Sequence, residues 1–329
     1  MGLPRVVVTA RLRPEMRGAV EEALADVASV IHLDDLDPGA RAEALTSADA
    51  VLAWNLGSEL DGPGGFSAVA SAALIQLLSA GADHIPFDRI PAGVQVASNV
   101  GAYAKPMAEH VLAMALALAK RLPQNHAALA RGEWNQRTPN RSIHGSAVGI
   151  LGFGGIGRAC ADLFEALGAR IHALNRTGRT DRPIEFIGTP PDLHAILEAA
   201  DVVVISMPLT RDTRGLIGAR ELALMKPDAI LVNVARGAIV EEDALYEHLR
   251  SNPRFSTGID AWWEEPFGRG SFTTRRPFLE LPNVLGSPHN SALTPGALVE
   301  AARHAAENVA RHIRGEPVAG LIDRADYVD

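Results

Sequence analysis

The sequence predicts an α/β protein of two domains, each built on a parallel sheet, from three observations. Short β-branched runs alternate with helical patterns almost from end to end, which is the rhythm of βα units. The chain has 329 residues, more than one hydrophobic core usually serves. A glycine-rich turn, Leu151-Gly152-Phe153-Gly154-Gly155-Ile156-Gly157, stands between an apolar run and a helical pattern, the context in which such a turn opens a doubly wound sheet.

The first series of strands is expected at Val6–Ala10, Val30–Leu33, Ala50–Trp54, Leu74–Leu78 and Val94–Ala97. After Gly101 the pattern turns helical. Pro106 suits a first turn, where its missing N–H is not needed, and apolar residues from Met107 through Leu118 fall on nearly every face, so this helix is expected to be buried, at an interface. A second and stronger series follows at Val148–Leu151, Arg170–Leu174, Val202–Ser206, Ile230–Val234, Phe255–Ile259 and Val284–Gly286. The last helix is expected over Pro295–Ile313. The tail Val318–Ile322 is too short for a third domain and is expected to pack back on the first. Only Glu264 to Pro282, rich in Gly, Phe, Thr and Arg, reads as long irregular chain.

Charge and cysteine usage exclude several functions. Lys and Arg number 31 against 39 Asp and Glu, a net charge of −8. That leaves no basic excess for a phosphate backbone, so nucleic acid is not an expected partner. The single cysteine, Cys160, permits no intrachain disulfide and no cysteine metal cluster, and as a buried small hydrophobe it fits a reducing compartment. No metal site is expected. Met1-Gly2-Leu3-Pro4-Arg5 runs directly into Val6-Val7-Val8, a first strand rather than a secretion signal, and Val6 breaks the myristoylation pattern. The longest apolar stretch, Val111 to Ala119, falls well short of the roughly 18 residues a membrane span needs. A soluble, cytoplasmic protein is expected.

The glycine turn carries the cofactor expectation. Its glycines permit a tight turn and close approach, so backbone N–H groups and the positive end of the next helix can hold a pyrophosphate. The residues so placed are Gly152, Gly154, Gly155, Ile156 and Gly157. A turn chosen only for packing is the alternative, and the order strand, turn, helix favours the nucleotide. The residue ending the next strand lies 18 positions on (175 − 157), close to the roughly 20 usual for the ribose contact. It is Asn175. An acid there would bind both ribose hydroxyls and repel a 2′-phosphate, whereas Asn175-Arg176-Thr177 lacks that repulsion and adds a cation and a hydroxyl. The expected cofactor is NADP or NAD, with NADP favoured, although Arg176 reads equally as a solvated arginine.

Arg236 follows the strand Ile230–Val234, Glu265 lies just beyond Phe255–Ile259, and His289 ends the run Val284-Leu285-Gly286-Ser287-Pro288. The carboxyl ends of parallel strands share one edge, where ligands bind. The chemistry of the three matches carbonyl reduction. A guanidinium grips a carboxylate through two parallel hydrogen bonds, and an imidazole exchanges a proton with the substrate oxygen as hydride arrives or leaves. A carboxylate on the far ring nitrogen favours the imidazolium and fixes the tautomer. Arg236 is the expected clamp, His289 the acid and base, and Glu265 the group that tunes it. Singly, each has a plain reading: a surface ion pair, half of the acidic pair Glu264-Glu265, a turn residue after Pro288. Three complementary groups at one edge favour a site.

These residues resemble the D-isomer-specific 2-hydroxyacid dehydrogenase family. The likeness runs over nearly the whole chain. It is carried by Ala108-Glu109-His110, the turn Gly152 to Gly157, Pro208-Leu209-Thr210 with Thr213, Asn233-Val234-Ala235-Arg236-Gly237, Asp260 with Glu265-Pro266, and Ser287-Pro288-His289. It implies a Rossmann-type doubly wound parallel sheet, the nucleotide domain at residues 101–290, inserted into a smaller flavodoxin-like α/β substrate domain of residues 1–100 with 291–329. It also implies hydride transfer between NAD(P)H and a small 2-oxo or D-2-hydroxy acid, glyoxylate- or hydroxypyruvate-like, in a homodimer built on the nucleotide domain. By the same likeness Arg236 and the loop Asn55-Leu56-Gly57, with Leu56 and Gly57 as contacts, hold the substrate carboxylate. Gly155 and Ile156 meet the pyrophosphate, Met207, Pro208, Thr213, Val234 and Ala235 line the nucleotide, and Asp260 holds the nicotinamide carboxamide. His110 is read as structural.

Departures from the family pattern bear on the substrate. The segment Phe267 to Phe278 is longer than in many relatives, and its Arg269, Arg275 and Arg276 read as a solvated loop or as contacts to a phosphate or second carboxylate. Trp262-Trp263 and Asn290-Ser291 read as pocket-shaping or as packing. Formate dehydrogenases of similar fold carry Gln where Glu265 stands, and phosphite dehydrogenases carry a substrate-loop Lys that Asn55–Gly57 lacks. From another class, an NAD(H)-sensing corepressor or scaffold protein on the same fold would have vestigial catalysis, which the intact Arg236, Glu265 and His289 disfavour.

Overall fold

A computed structural model describes residues 2–61, 65–266 and 270–328. The chain divides into two compact units, Met1–Tyr103 with Thr294–Asp329, and Ala104–Leu293.

The first unit alternates β1 (Arg5–Val8), α1 (Pro14–Leu24), β2 (Ser29–His32), α2 (Pro38–Thr46), β3 (Ala50–Ala53), the single turn α3 (Leu56–Glu59), β4 (Leu74–Leu77) and β5 (Gln95–Ala97). The strands pair in parallel in the order β2-β1-β3-β4-β5. They read as continuous apolar runs because both faces of the sheet are covered. Val7 and Val51 enter one core cluster, while Val6, Val8 and Leu52 enter the other, all fully buried.

In the second unit α4 (Ala104–Ala119) and α5 (Leu122–Ala130) precede a βα series. It comprises β6 (Ala147–Leu151), α6 (Gly155–Ala166), β7 (Arg170–Leu174), β8 (Phe186–Gly188), α7 (Leu193–Ala199), β9 (Val202–Ile205), α8 (Ala219–Leu224), β10 (Ile230–Asn233), α9 (Glu242–Ser251), β11 (Ser256–Ile259) and β12 (Val284–Gly286). The seven strands are parallel, in the order β12-β11-β10-β9-β6-β7-β8. The chain reverses direction across the sheet between β9 and β6, and ligands of open α/β sheets bind at such a point. β8 has no counterpart in the expected strands: its three residues pair only with β7 at the sheet edge, too short a run to show a period. One face of α4, with Met107, Ala108, Val111, Met114, Ala115 and Leu118, is buried inside this unit, against α6, β10 and β11, while Ala113 is exposed and Leu112 and Leu116 are half-buried.

α10 (Ala297–Ile313) returns the chain to the first unit. Its stripe Ala302, Ala305, Ala306 and Val309 packs with Val20 and Leu24 of α1, the 3.6-residue repeat of an amphipathic helix. The tail then pairs Leu321 with Ala97, and the Ile322 amide donates to the Val96 carbonyl at 2.9 Å. The chain passes from one unit to the other three residues beyond each expected boundary. The Tyr103 hydroxyl donates to the Leu78 carbonyl at 2.7 Å in the first unit, and the Leu293 amide to the Asn290 carbonyl at 2.9 Å in the second.

Among the described residues no helix is long and apolar enough to cross a membrane, and no three His, Cys, Asp or Glu side chains stand together as metal ligands. Cys160 is fully buried on α6, and burial pushes its thiol up to about 12.

Candidate active site

The glycine turn lies at the reversal between β6 and β9. Gly152 stands at φ 101°, and a Cβ there would sit 2.6 Å from the Met207 nitrogen just past β9. A Cβ on Gly157 would fall 2.1 Å from the Gly152 carbonyl oxygen. These two positions accept only glycine, because α6 must start in contact with the turn. Gly154 differs: a Cβ there would meet nothing within 4 Å, so its missing side chain leaves open space ahead of α6, which begins at Gly155 with Ile156 and Gly157 in its first turn. The turn therefore fits a pyrophosphate held on backbone N–H groups.

Asn175 directly follows β7, one residue beyond its end at Leu174, and its side chain shapes the following loop. Its Oδ1 accepts from the amides of Thr177 (3.0 Å) and Gly178 (2.8 Å), and its Nδ2 donates to the Arg179 carbonyl (2.8 Å). Arg176 and Thr177 are exposed on that loop. Beyond β9, Pro208 and Thr213 belong to a closed turn: the Thr213 hydroxyl donates to the Pro208 carbonyl at 2.7 Å and accepts from the Thr210 amide at 2.8 Å.

Asn233, Ile259 and Gly286 are paired across β10, β11 and β12, so Arg236, Asp260 and His289 leave the sheet at one edge. Asn233 is buried and ties the turn after β10. Its Oδ1 accepts the Ala235 amide at 3.0 Å, its Nδ2 donates to the Arg236 carbonyl at 2.9 Å, and Val234 between them is buried. The Arg236 side chain is half-buried, with Nη1 donating to the Ala235 carbonyl at 2.8 Å.

Glu265 and His289 are joined directly: His289 Nδ1 lies 2.7 Å from Glu265 Oε1, and that oxygen also accepts the Trp262 amide at 2.9 Å. His289 stands at φ 49°, a left-handed conformation that costs a non-glycine residue about 1–3 kcal/mol and persists only where its surroundings over-determine it. Asp260 does so. Its carbonyl accepts the His289 amide at 3.0 Å, Oδ1 accepts the Asn290 amide at 3.1 Å and the Ser287 hydroxyl at 2.5 Å, and Oδ2 accepts the Ser291 amide at 3.2 Å. The side chain of Asp260 is fully buried. Burial alone would push its carboxyl up, but the hydrogen bonds from Ser287 and Ser291 and the nearby His110 outweigh it and hold it below the usual carboxylate value. His110, expected to be structural, belongs to this network, with Nε2 2.9 Å from the Ser287 hydroxyl and 3.8 Å from Asp260.

Within the irregular segment after Glu265, Arg275 and Arg276 are pinned to their own unit. Arg276 Nε donates to Asp243 at 2.7 Å and Arg275 pairs with Asp243 and Glu242, so these two arginines serve α9. Phe267, Gly268 and Arg269 lie outside the described residues. Trp262 and Trp263 pack around fully buried Phe278, and their indole N–H groups donate to the carbonyls of Ser287 (2.8 Å) and Val240 (2.6 Å). In the first unit, Leu56 and Gly57 follow β3, and Leu56 has its side chain in the core.

Residues 112–291 match the sequence model of the D-isomer specific 2-hydroxyacid dehydrogenase NAD binding domain. The chain belongs to that family. A glyoxylate reductase of Thermococcus gammatolerans is 32% identical to this dehydrogenase-family protein over 240 residues, 70% of each chain. A D-3-phosphoglycerate dehydrogenase of Methanocaldococcus jannaschii is 32% identical over 236 residues, 70% of this chain and 43% of the relative, so the match spans less than half of that relative's length. The structure of a D-isomer specific 2-hydroxyacid dehydrogenase from Xanthobacter autotrophicus Py2, in complex with NADPH and MES, is similar with a TM-score of 0.77 and 26% identity, covering 99% of this chain and 100% of that one. The family match makes the second unit a nicotinamide-dinucleotide domain. Asn233, Ser287, Ser291 and His110 were not among the expected site residues. Asn233, Ser287 and His110 carried a signal as members of the family motifs, and Ser291 as half of Asn290-Ser291, read as pocket-shaping or as packing.

Proposed function

We propose that this protein is an NAD(P)-dependent D-2-hydroxyacid dehydrogenase acting on the CH–OH group of a small 2-hydroxy acid, or reducing the matching 2-oxo acid, of the glyoxylate and hydroxypyruvate class. The observation that carries the proposal is the 2.7 Å contact between His289 Nδ1 and Glu265. A carboxylate behind the imidazole supports the reading of His289 as acid and base, with Nε2 as the nitrogen that exchanges a proton with substrate. A bound nicotinamide dinucleotide supplies the hydride in reduction and accepts it in oxidation.

The protein's own residues do the rest. Arg236 grips the substrate carboxylate and fixes the adjacent carbonyl carbon. Leu56 and Gly57 are read as substrate contacts from the family likeness alone. His289 gives its proton to the carbonyl oxygen and recovers one from solvent between turnovers. Glu265, oriented by the Trp262 amide, holds the His289 ring in place as it gives the proton in reduction or takes it in oxidation. Gly152 to Gly157 hold the pyrophosphate. Asp260 is the group for the carboxamide, and Met207, Pro208, Thr213, Val234 and Ala235 line the nucleotide. NADP is favoured over NAD, because Asn175 brings no charge to repel a 2′-phosphate and the loop it shapes presents Arg176 and Thr177.

The test follows oxidation of NADPH and NADH against glyoxylate, hydroxypyruvate, pyruvate and bulkier 2-oxo acids, with His289→Ala and Arg236→Ala as controls. Turnover of no 2-oxo acid, with nicotinamide binding intact, sinks the enzyme reading in favour of a nucleotide sensor or scaffold. NADH clearly outperforming NADPH removes the cofactor preference alone. A homodimer belongs to the same proposal. None of α5's residues is buried, Leu122 and Leu129 are exposed, and Trp134 just beyond is 76% exposed. Sedimentation at the mass of a single protomer contradicts the dimer.

A further inference from the structure

The loop after β3 is tied at both of its leading peptide groups, and one acid does most of the tying. Glu59 Oε1 accepts the Trp54 amide at 3.1 Å and the Asn55 amide at 2.7 Å, while Oε2 lies 3.2 Å from the Trp54 amide and accepts the Thr9 hydroxyl at 2.6 Å. Thr9 is buried just past β1, and its amide donates to the Leu52 carbonyl of β3 at 3.0 Å. The carboxylate thus spans the β1–β3 junction, where this sheet reverses its winding. The carbonyls of the loop are engaged as well. That of Trp54 accepts from His84 Nε2 at 2.9 Å, and that of Asn55 accepts the amides of Ser58 and Glu59 at 3.2 and 3.0 Å. The Leu56 side chain is fully buried and nails the loop to the core.

The next two amides are treated differently. Among the described residues, those of Leu56 and Gly57 donate to no protein acceptor. Both belong to the first turn of α3, whose N–H groups have no partner inside the helix and take one from water or a ligand, and a 2-oxo acid carries an acceptor in its carboxylate. A flexible loop would lose that contact to conformational entropy, since ordering each residue's backbone costs about 1–2 kcal/mol at 25 °C. A loop already fixed by Glu59 has met that cost on folding.

We propose that Glu59 is a positioning residue for substrate binding: it holds Trp54 and Asn55 so that the Leu56 and Gly57 amides remain as a preformed pair of donors for the carboxylate of a 2-oxo acid. The inference rests on the reading of Leu56 and Gly57 as substrate contacts. Glu59 itself never meets substrate, because protein donors occupy both of its oxygens and mask a charge that would otherwise repel an anion.

The test compares wild type with Glu59→Ala, Glu59→Gln and Thr9→Val. It reads steady-state kinetics on glyoxylate and calorimetric binding of oxamate, a 2-oxo acid analogue, to protein saturated with reduced nicotinamide nucleotide. Glu59→Ala is expected to raise KM for glyoxylate and Kd for oxamate by roughly tenfold, the worth of one hydrogen bond to a charged group, while kcat and the nucleotide KM stay within about threefold. Glu59→Gln keeps one acceptor oxygen and shifts less, and Thr9→Val shifts less again in the same direction. Should Glu59→Ala fail to fold by circular dichroism, the two milder variants carry the comparison. Unmoved glyoxylate KM and oxamate Kd, or a loss spread equally over kcat and the nucleotide KM, overturn the role of Glu59. A wild-type protein that neither reduces a 2-oxo acid nor binds oxamate overturns the dehydrogenase reading instead.

Discussion

Glu265 Oε1 accepts from both the ring of His289 and the backbone amide of Trp262, so the carboxylate is fixed before it fixes the imidazole. Such a group acts on the protonation and orientation of the histidine rather than on substrate affinity. Glu265→Gln is therefore expected to lower kcat far more than it raises KM, and to move the pH profile of kcat. His289→Ala should lower kcat by about 10²–10⁴, the usual worth of a positioned acid–base group. Steady-state kinetics across pH check both. A Glu265→Gln variant with the wild-type profile would remove Glu265 from the mechanism.

The glycine turn separates folding from nucleotide binding at neighbouring positions. Gly157→Ala drives a Cβ into the Gly152 carbonyl and should cost about 1–3 kcal/mol of stability, the usual penalty of overpacking. Gly154→Ala meets nothing in the protein, so its melting temperature should match wild type while KM for the nicotinamide nucleotide rises roughly tenfold or more, because the second glycine of such turns admits the pyrophosphate. Equal effects of the two substitutions on both readouts would contradict this division.

Asp260→Asn removes an acceptor that several donors share. An amide nitrogen would face one of the Ser287, Asn290 and Ser291 donors, and the left-handed turn at His289 would lose its brace. A loss of about 1–3 kcal/mol is expected at neutral pH, with kcat falling as His289 loses its orientation. The sign of the pH effect follows from the depressed carboxyl. Its stabilisation is complete above the ordinary carboxylate value near 3.8 and is lost as pH falls through the lower folded value. The gap in melting temperature between wild type and variant should hold from neutral pH down to that range and narrow below it.

His248 is a second source of acid sensitivity, away from the catalytic groups. Burial holds its imidazole below the usual value, and its Nε2 is enclosed with no partner among the described residues. A histidine buried neutral must gain a proton on unfolding, so below about 6.5 the unfolded state binds more protons and stability falls with pH, by at most about 1.4 kcal/mol per unit. The loss begins at the unfolded value and ends below the folded one. His248→Gln should flatten the melting temperature between pH 7.5 and 5.5, and parallel curves for the two proteins would exclude this source.

Much of the fold was legible because buried parallel strands write themselves as unbroken apolar runs, as Val202-Val203-Val204-Ile205 does. β8 was not, because three residues paired on one side have no such run. Arg236, Glu265 and His289 were legible as strand-end groups, and the structure joins the last two by a direct bond. The supporting cast was hidden for a physical reason. The hold of Asp260 on the His289 turn depends on a positive φ that no residue type announces, and the capture of Asn175 by its own loop depends on where the amides of Thr177 and Gly178 and the carbonyl of Arg179 point. Local pattern carries periodicity and charge, whereas these contacts are properties of folded geometry.

The return of α10 and the tail to the first unit also sets an order of assembly on the ribosome. The second unit is one unbroken stretch of chain and is complete once Leu293 has been made. The first unit has by then waited through the whole of it, with buried Gln76 still lacking Asn308, the Asn99 side chain still lacking the Ala301 carbonyl, and β5 still lacking Leu321. The part of the first unit made before the second is thus the part whose native contacts close after it, and the apolar faces of β1, β3 and β4 must be kept from misassociating until α10 emerges.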